Sequence, residues 1–327
     1  MKIKIKKATE TDICGLMKLD KLLEEHPWNR RSRKNWKWKY FTQNPAGKAN
    51  IYIATKETKI LACFAAIPIK YLIRKKIITA YHSIAMMVHP DWQNRGLIGF
   101  VAEKLFEAIK KKKIPFIYGF PNQRAYKLHK NKFDYEDILS QKEYSLKKKN
   151  LIVNNTKKPK IFLTKIKKFS KHHDKSFFQL NSQYKVSVLK NSAYLNFRFV
   201  SRPDLNYECY IIENFQKKIL GYIVFKIYID NKIRRGHIVD YLFKSETKNY
   251  FFQLLNSSLH LLTNKFHADE ITLWCNGDTK MVSALKIFNF KVKNDRPMIC
   301  RFFDKKFKKK INSKNWFFTM GDTLEIY

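Results

Sequence analysis

The segment 36–64, WKWKYFTQNPAGKANIYIATKETKILACF, resembles the segment 194–223, YLNFRFVSRPDLNYECYIIENFQKKILGYI. Each runs from an aromatic–basic–aromatic cluster through a proline turn into a strand. Each then enters a second strand opened by Lys-Ile-Leu, at Lys59 and at Lys218. A second pair matches further on: YGFPNQRAYKLHKNKFDY (118–135) and LWCNGDTKMVSALKIFNF (273–290). Both read as a short strand ending in asparagine (Asn122, Asn276), a helix and a closing aromatic. A repeat on this scale restricts the chain to two units of one plan. Within each unit strands and helices interleave around an antiparallel meander, so the expected class is α/β, a mixed central sheet flanked by helices. The lysine-rich, polar stretch SLKKKNLIVNNTKKPK (145–160) reads as the end of the first unit and the linker. The expected units are therefore 1–150 and 151–327.

The first unit is the more informative. Thr9 ahead of ETDICGLMKL is a suitable N-cap for its first helix. NIYIATKE, KILACFAAIPIKYLI and KKIITAYHSIAMMV form the expected meander. The last of these meets HPDWQNRGLIGF (89–100), and then a run placing Phe100, Val101, Leu105, Ala108 and Ile109 on one helical face. The expected helix spans 99–112 and crosses over to a parallel strand in KKKIPFIYGF. A polar, glycine-bearing turn that opens a helix presents free amides and the positive end of the helix dipole, which suits an anion. Two phosphate loops are excluded. Phe100 follows Gly99 where a P-loop needs Lys-Ser or Lys-Thr, and Gly96 and Gly99 alone do not make G-x-G-x-x-G.

Composition narrows the classes. The five cysteines (Cys14, Cys63, Cys209, Cys275, Cys300) are scattered and odd in number, as expected of reduced thiols in a cytoplasmic protein with neither a disulfide frame nor a bound metal. No apolar run reaches the length of a membrane span, and MKIKIKKATETD lacks the apolar core of a signal peptide. The formal charge is +39, yet only twelve of the 66 basic residues are arginine and the lysines are spread along the chain. That pattern fits a lysine-biased composition better than a dedicated nucleic-acid surface.

Strand, VHPDWQNRGL, helix, strand, PN, helix resembles the GNAT superfamily of acyl-CoA N-acyltransferases. Its signature is Q/R-x-x-G-x-G/A after a strand ending V-x-P. Val88, His89 and Pro90 supply the strand end, and Gln93, Gly96 and Ile98 occupy the three signature positions. Ile98 departs from the usual glycine or alanine. The wider outline is similar to two-domain members, through Trp38–Tyr40, Asn44-Pro45, Gly47, Gly119–Asn122 and Trp316–Asp322. The resemblance implies two tandem GNAT-like units, the first binding acetyl-CoA as acyl-donor substrate without a metal. The implied donor site comprises Met86, Met87 and Val88 on the strand, Gln93, Asn94, Arg95, Gly96, Leu97, Ile98 and Gly99 in the turn, and Asn122 opening the later helix. Lys104 is a further source of charge.

Members of the superfamily often carry a tyrosine acid seven residues after that asparagine; here the place belongs to His129, with Tyr126 one turn earlier as the substitute. Ala85 stands where relatives often have an acidic residue, which leaves Asp91, Tyr81 or a water as base. The second unit has lost the turn and has Glu246 near the expected anion site, so it is expected to shape the acceptor pocket, with Asp240, Tyr241 and Trp274 as candidate lining. The leading reading is N-acetyltransfer to a small-molecule amine acceptor, an amino sugar of surface polysaccharide synthesis or an anionic sugar nucleotide among the candidates. An acyltransferase using a longer acyl or an aminoacyl donor is another reading. The reading from a different class is a basic nucleic-acid-binding protein on a catalytically inactive GNAT scaffold.

Overall fold

The computed structural model describes residues 2–23, 32–42, 44–151, 161–243, 248–276, 279–309, 311 and 316–324. The first half contributes β1 (Lys4–Lys7), β2 (Asn50–Lys56), β3 (Lys59–Ile73), β4 (Lys76–Val88), β5 (Phe116–Gly119) and β6 (Glu136–Lys147). Its helices are α1 (Ile13–Leu23), α2 (Arg33–Trp36), α3 (Leu97–Lys111) and α4 (Gln123–Lys132). The second half contributes β7 (Ile161–Ile166), β8 (Val186–Val188), β9 (Glu208–Asn214), β10 (Ile219–Asp230), β11 (Ile233–Phe243), β12 (Glu270–Trp274), β13 (Lys291–Phe302) and β14 (Trp316–Phe317). Its helices include α5 (Asp174–Asn181), α6 (Ser192–Leu195), α7 (Lys248–His260) and α8 (Thr279–Ile287).

The repeat seen in the sequence is a repeat of structure. α2 continues into a π-turn over Lys37–Phe41 and is followed by the β2–β3 hairpin; α6 continues into a π-turn over Asn196–Val200 and is followed by β9–β10. The two π-turns meet where Trp38 stacks on Phe197 at 4.8 Å. Thr9 caps a short 3-10 turn reciprocally with Asp12 and leads into α1. α3 starts two residues earlier than the periodicity suggested, and Phe100 is 58% exposed. Leu97, Ile98, Val101, Ala102, Leu105, Phe106 and Ile109 are its buried residues, so Val101, Leu105 and Ile109 of the expected face are buried and Phe100 is not.

The strand order is β1-β2-β3-β4-β5-β13-β6-β12-β11-β10-β9-β7. β13, from the second half, lies between β5 and β6 of the first, antiparallel to both. β6 in turn pairs with β12 of the second half. Each half thus lends its last long strand to the other, and one continuous sheet results. Without β13, the edge of β5 and most of β6 would present unpaired amides and carbonyls.

A second bridge lies across the sheet. β8 pairs with the end of β3 on one side and with β14 on the other. Trp316 and Phe318 alternate onto the first half, against Tyr71, Phe116, Tyr118 and Phe120. Phe317 faces the second half, stacked on Tyr184 at 3.9 Å. The segment is anchored by a buried ionic cluster. Lys190 Nζ donates to Asp240 (2.8 Å), Asp322 (2.6 Å) and Thr319 (3.1 Å), and all four side chains are buried. Arg198 donates to the carbonyls of Gly321 and Thr323. Burial opposes the Lys190 charge, but the two carboxylates outweigh it and raise its pKa. Burial likewise raises Asp322, against the pull of Lys190. Asp240, Tyr241 and Trp274 are all fully buried, and none lines either of the two cavities that open along β4. Asp240 serves the ionic cluster, Tyr241 packs on Phe317, and the Trp274 indole donates to Glu143. Glu246 lies outside the described residues.

Two outcomes follow from this arrangement. A fragment ending at residue 150 is expected not to give a folded monomer alone, and to recover dispersed NMR amide signals when co-produced with 151–327; a folded, monomeric fragment would contradict the exchange. Lys190→Met leaves two buried carboxylates without their cation, and urea unfolding should show a loss of about 3–5 kcal/mol.

Candidate functional site

The site begins with a bulge. Cys63 pairs with Met87 and Ala65 with Ile84, so Phe64 of β3 faces two residues of β4, Ala85 and Met86. Ala85 adopts φ +49° to make room for the extra residue. β4 pairs with β5 only at Tyr81–Ile117 and His82–Tyr118, yet runs on to Val88. The two strands stay close as far as Ser83, whose hydroxyl donates to the Tyr118 carbonyl, and part beyond it. Gly119 ends β5 at a close approach: a Cβ there would come within 2.6 Å of the Ser83 hydroxyl oxygen.

The opening is a cleft of about 1270 Å³, adjoined by a cavity of about 310 Å³. The two share Leu23, Met86, Met87, Asn122 and Ala125 as walls. The cleft brings together nine of the residues implicated by sequence: Met86, Met87, Val88, Gln93, Asn94, Gly96, Ile98, Gly99 and Asn122. Two others stand elsewhere. The Leu97 side chain is buried in the core under α3, and the Arg95 guanidinium lies 5.3 Å over the Trp92 ring. Lys104 pairs with Glu107.

The turn's shape explains its residues. His89 closes the strand by donating its amide to Leu61, and Pro90–Trp92 form a 3-10 turn. Asn94 (φ +61°) and Gly96 (φ +72°) are both left-handed, and Gly96 caps α3. A Cβ at Gly96 would meet no atom within 4 Å, so the glycine serves conformation and an open approach rather than packing. The first turn of α3 carries no acidic residue. Its opening amides have no partner within the helix, save that Gly99 donates to the Gly96 carbonyl. Gln93 braces the turn, donating to the Val88 carbonyl at 3.2 Å and accepting from Arg124 of α4. Lys110, Arg124, Lys127, Lys132 and Arg301 line the cleft against Glu103 and Glu107, an excess of positive charge.

The smaller cavity differs in chemistry. Among the described residues it has no lysine or arginine on its wall, and Asp20, His82 and His129 are its ionisable side chains. His129, expected from its helical place, lines this cavity and is otherwise buried against Phe64, Phe133 and Tyr135. Its Nδ1 lies 2.7 Å from the Ala125 carbonyl, and burial lowers its pKa while that carbonyl raises it. Tyr126 lines neither cavity; its hydroxyl donates to Asp137 at 2.8 Å. Tyr81 accepts from Lys112 on the α3 side of the sheet, and Asp91 is 75% exposed beside His89. Asn122 caps α4 by accepting from the Ala125 amide. Sequence reasoning missed Arg124, Ser83, Phe120, Asp20 and Thr323. Arg124, two places past Asn122, was the nearest to legible. Thr323 is the second half's one residue on the small cavity among those described, and nothing local marks it.

Residues 4–137 match the family model described as an acetyltransferase (GNAT) domain. No curated protein matches the chain in sequence. Among solved structures, a probable N-acyltransferase of unknown function from Enterococcus faecalis superposes with a TM-score of 0.67 at 14% identity, over 92% of this chain and 73% of that one. N-myristoyltransferase of Saccharomyces cerevisiae, with myristoyl-CoA bound, gives 0.61 at 12% identity over 92% and 79%. A tandem GNAT protein from the clavulanic acid biosynthesis pathway gives 0.62 at 10% identity, over 92% of this chain and 98% of its own. At such identities these likenesses establish the fold, and the first half carries the family match. Residues 4–137 therefore carry the GNAT-domain match, and the chain shares its fold with these structures, a two-unit protein among them.

Proposed function

We propose that the protein is an acyl-CoA-dependent N-acyltransferase, moving an acetyl group from acetyl-CoA to an amine. The observation that carries this reading is the continuity of the cleft. An anion-binding turn at 93–99, the parted strands beyond the Ala85 bulge and a small enclosed cavity follow one another along β4. The CoA pyrophosphate would lie on the turn and the α3 amides, helped by the basic cleft wall. The pantetheine arm would run along Met86–Val88 as an added strand. The thioester would reach the smaller cavity, where the amine attacks; a backbone amide at the bulge would hold the carbonyl oxygen as charge develops. The acetyltransferase description of the matching family favours acetyl over a long acyl chain.

The acceptor is a small-molecule amine. The +39 charge favours an anionic molecule such as an amino-sugar nucleotide at long range. The small cavity offers a phosphate no lysine or arginine among its described walls, so only the amine-bearing end belongs there. In this reading residues 1–150 hold the donor, with Arg301 of β13 on the cleft wall, and 151–327 close the acceptor side through the segment ending at Thr323.

Calorimetry with acetyl-CoA should give one site per chain. Gly96→Ala should lower stability by about 1–2 kcal/mol, the strain of a left-handed alanine, and leave acetyl-CoA affinity close to parent. Gly96→Asp should weaken it by more than about tenfold, because it sets a carboxylate against the pyrophosphate. Two equal sites, or an unaffected Gly96→Asp, would contradict the assignment. Salt-sensitive oligonucleotide binding without acetyl-CoA binding would favour the nucleic-acid reading instead. Tyr126→Phe should leave turnover close to parent, since that hydroxyl serves Asp137; a drop of about 10²–10⁴, the usual loss with a general acid, would return Tyr126 to the chemistry.

A further inference from the structure

His129 presents two different ring nitrogens. Nδ1 faces the Ala125 carbonyl at 2.7 Å. A carbonyl oxygen only accepts, so Nδ1 carries the hydrogen. The other nitrogen, Nε2, then holds a lone pair when the ring is neutral. The ring's position is fixed by Phe64 of β3, by Phe133 after α4 and by Tyr135, whose ring centroid is 4.6 Å away and perpendicular. This ring forms part of the wall of the small cavity, opposite residues of the bulged strand.

Resting on the acyl-transfer reading, we propose that His129 in its Nδ1–H tautomer begins the reaction as proton acceptor, taking the amine's proton at Nε2 and returning it to the departing sulfur. The acceptor enters as the free amine, having given one proton to solvent. As its nitrogen bonds to the thioester carbon, the nitrogen's hydrogen passes to Nε2 as a proton, leaving its electron pair in the new amide. The C–S bond breaks with its pair on sulfur, and the imidazolium gives its proton to that thiolate. The products are the amide and CoA thiol, and His129 is again neutral. A group that served only as an acid would have to start the cycle charged, which the surroundings oppose. Burial lowers the His129 pKa from its ordinary 6.5, and the Ala125 carbonyl only partly offsets this. The ionisable groups around it are Asp20 of α1 and His82 of β4 on the cavity wall, and the Tyr135 hydroxyl, itself raised by burial. Lys130 on the same helix is engaged by Asp137.

The sign of the pH effect is fixed by this state. With a lowered pKa the neutral form is dominant at pH 7, and kcat/KM should fall only as pH drops through a value below 6.5. The test joins two measurements on the full chain. Nitrogen-15 NMR of the histidine rings, with the His129 signals assigned by their loss in His129→Asn, should show a neutral Nδ1–H ring titrating below 6.5. An Nε2–H tautomer, or an imidazolium at pH 7, overturns the proposal whatever the kinetics. Turnover is then followed with acetyl-CoA and glucosamine, lysine and spermidine as probe amines. His129→Asn keeps a donor for the Ala125 carbonyl and removes Nε2. It should lower kcat by about 10²–10⁴, keep acetyl-CoA affinity and abolish the acid limb of the pH profile. His129→Tyr should restore nothing, because a neutral phenol is a poor acceptor; recovery with tyrosine would show that the group acts as an acid alone. A parent that acylates none of the three amines would contradict the acyl-transfer reading and this proposal with it. A parent that turns over while His129→Asn keeps pace would overturn this proposal alone.

Discussion

The exchange of β6 and β13 is the constraint on which the rest of the molecule depends. A strand edge left inside a protein must find partners for every amide and carbonyl it presents. Here β5 finds them on β13 and β12 finds them on β6, so neither half completes its sheet from its own sequence. The functional consequence lies at β5. It is held on one side by four register pairs with β13 and on the other by only two with β4. The parting of β4 from β5 is therefore supported from the second half, and the slot beside the bulge depends on a strand about 180 residues away in sequence, the distance between Gly119 and Ile299.

The aromatic wedge at 316–318 and the ionic cluster beneath it act in the same direction. Lys190, Asp240 and Asp322 are buried together, where each charge would be costly alone and the set is tolerable because its members hydrogen-bond one another. The cluster fixes Thr319 and Asp322, and Arg198 fixes the carbonyls on either side. Thr323, at the end of this segment, forms part of the small cavity's wall. The stretch of the second half that corresponds to the turn, KSETKN, has no glycine, yet this half still touches the place where chemistry is proposed.

How much of this could be read from the residues depended on how local each cause was. The repeat, the β2–β4 meander, the crossover helix and the Asn122 cap were legible because period and capping chemistry are local. So was the turn, since Gly96 is a glycine for a reason that its own φ expresses. The bulge was not: Ala85 takes a positive φ with no glycine or asparagine to announce it, and only pairing with Cys63 and Ala65 imposes it. The exchanged strands were invisible for a similar reason. The alternation in residues 136–147 says strand, but not whose neighbour. Phe100 is exposed because it stands one residue, about 100° of helix, before Val101, off the face that Ile98, Val101, Leu105 and Ile109 share. Lys190 gave no sign of burial, and Tyr126 none of its bond to Asp137, which lies eleven residues on.

The central claim is that the turn, the bulged strand and the small cavity form a single acyl-CoA path ending at His129. The most direct measurement is a structure of the full chain with a thioether analogue of acetyl-CoA, which cannot transfer its acyl group. The pyrophosphate should lie on the amides that open α3, the pantetheine against Met86–Val88, and the acyl carbon in the cavity of about 310 Å³ on the His129 side. An analogue seated elsewhere, or with its acyl carbon turned away from that cavity, would contradict it.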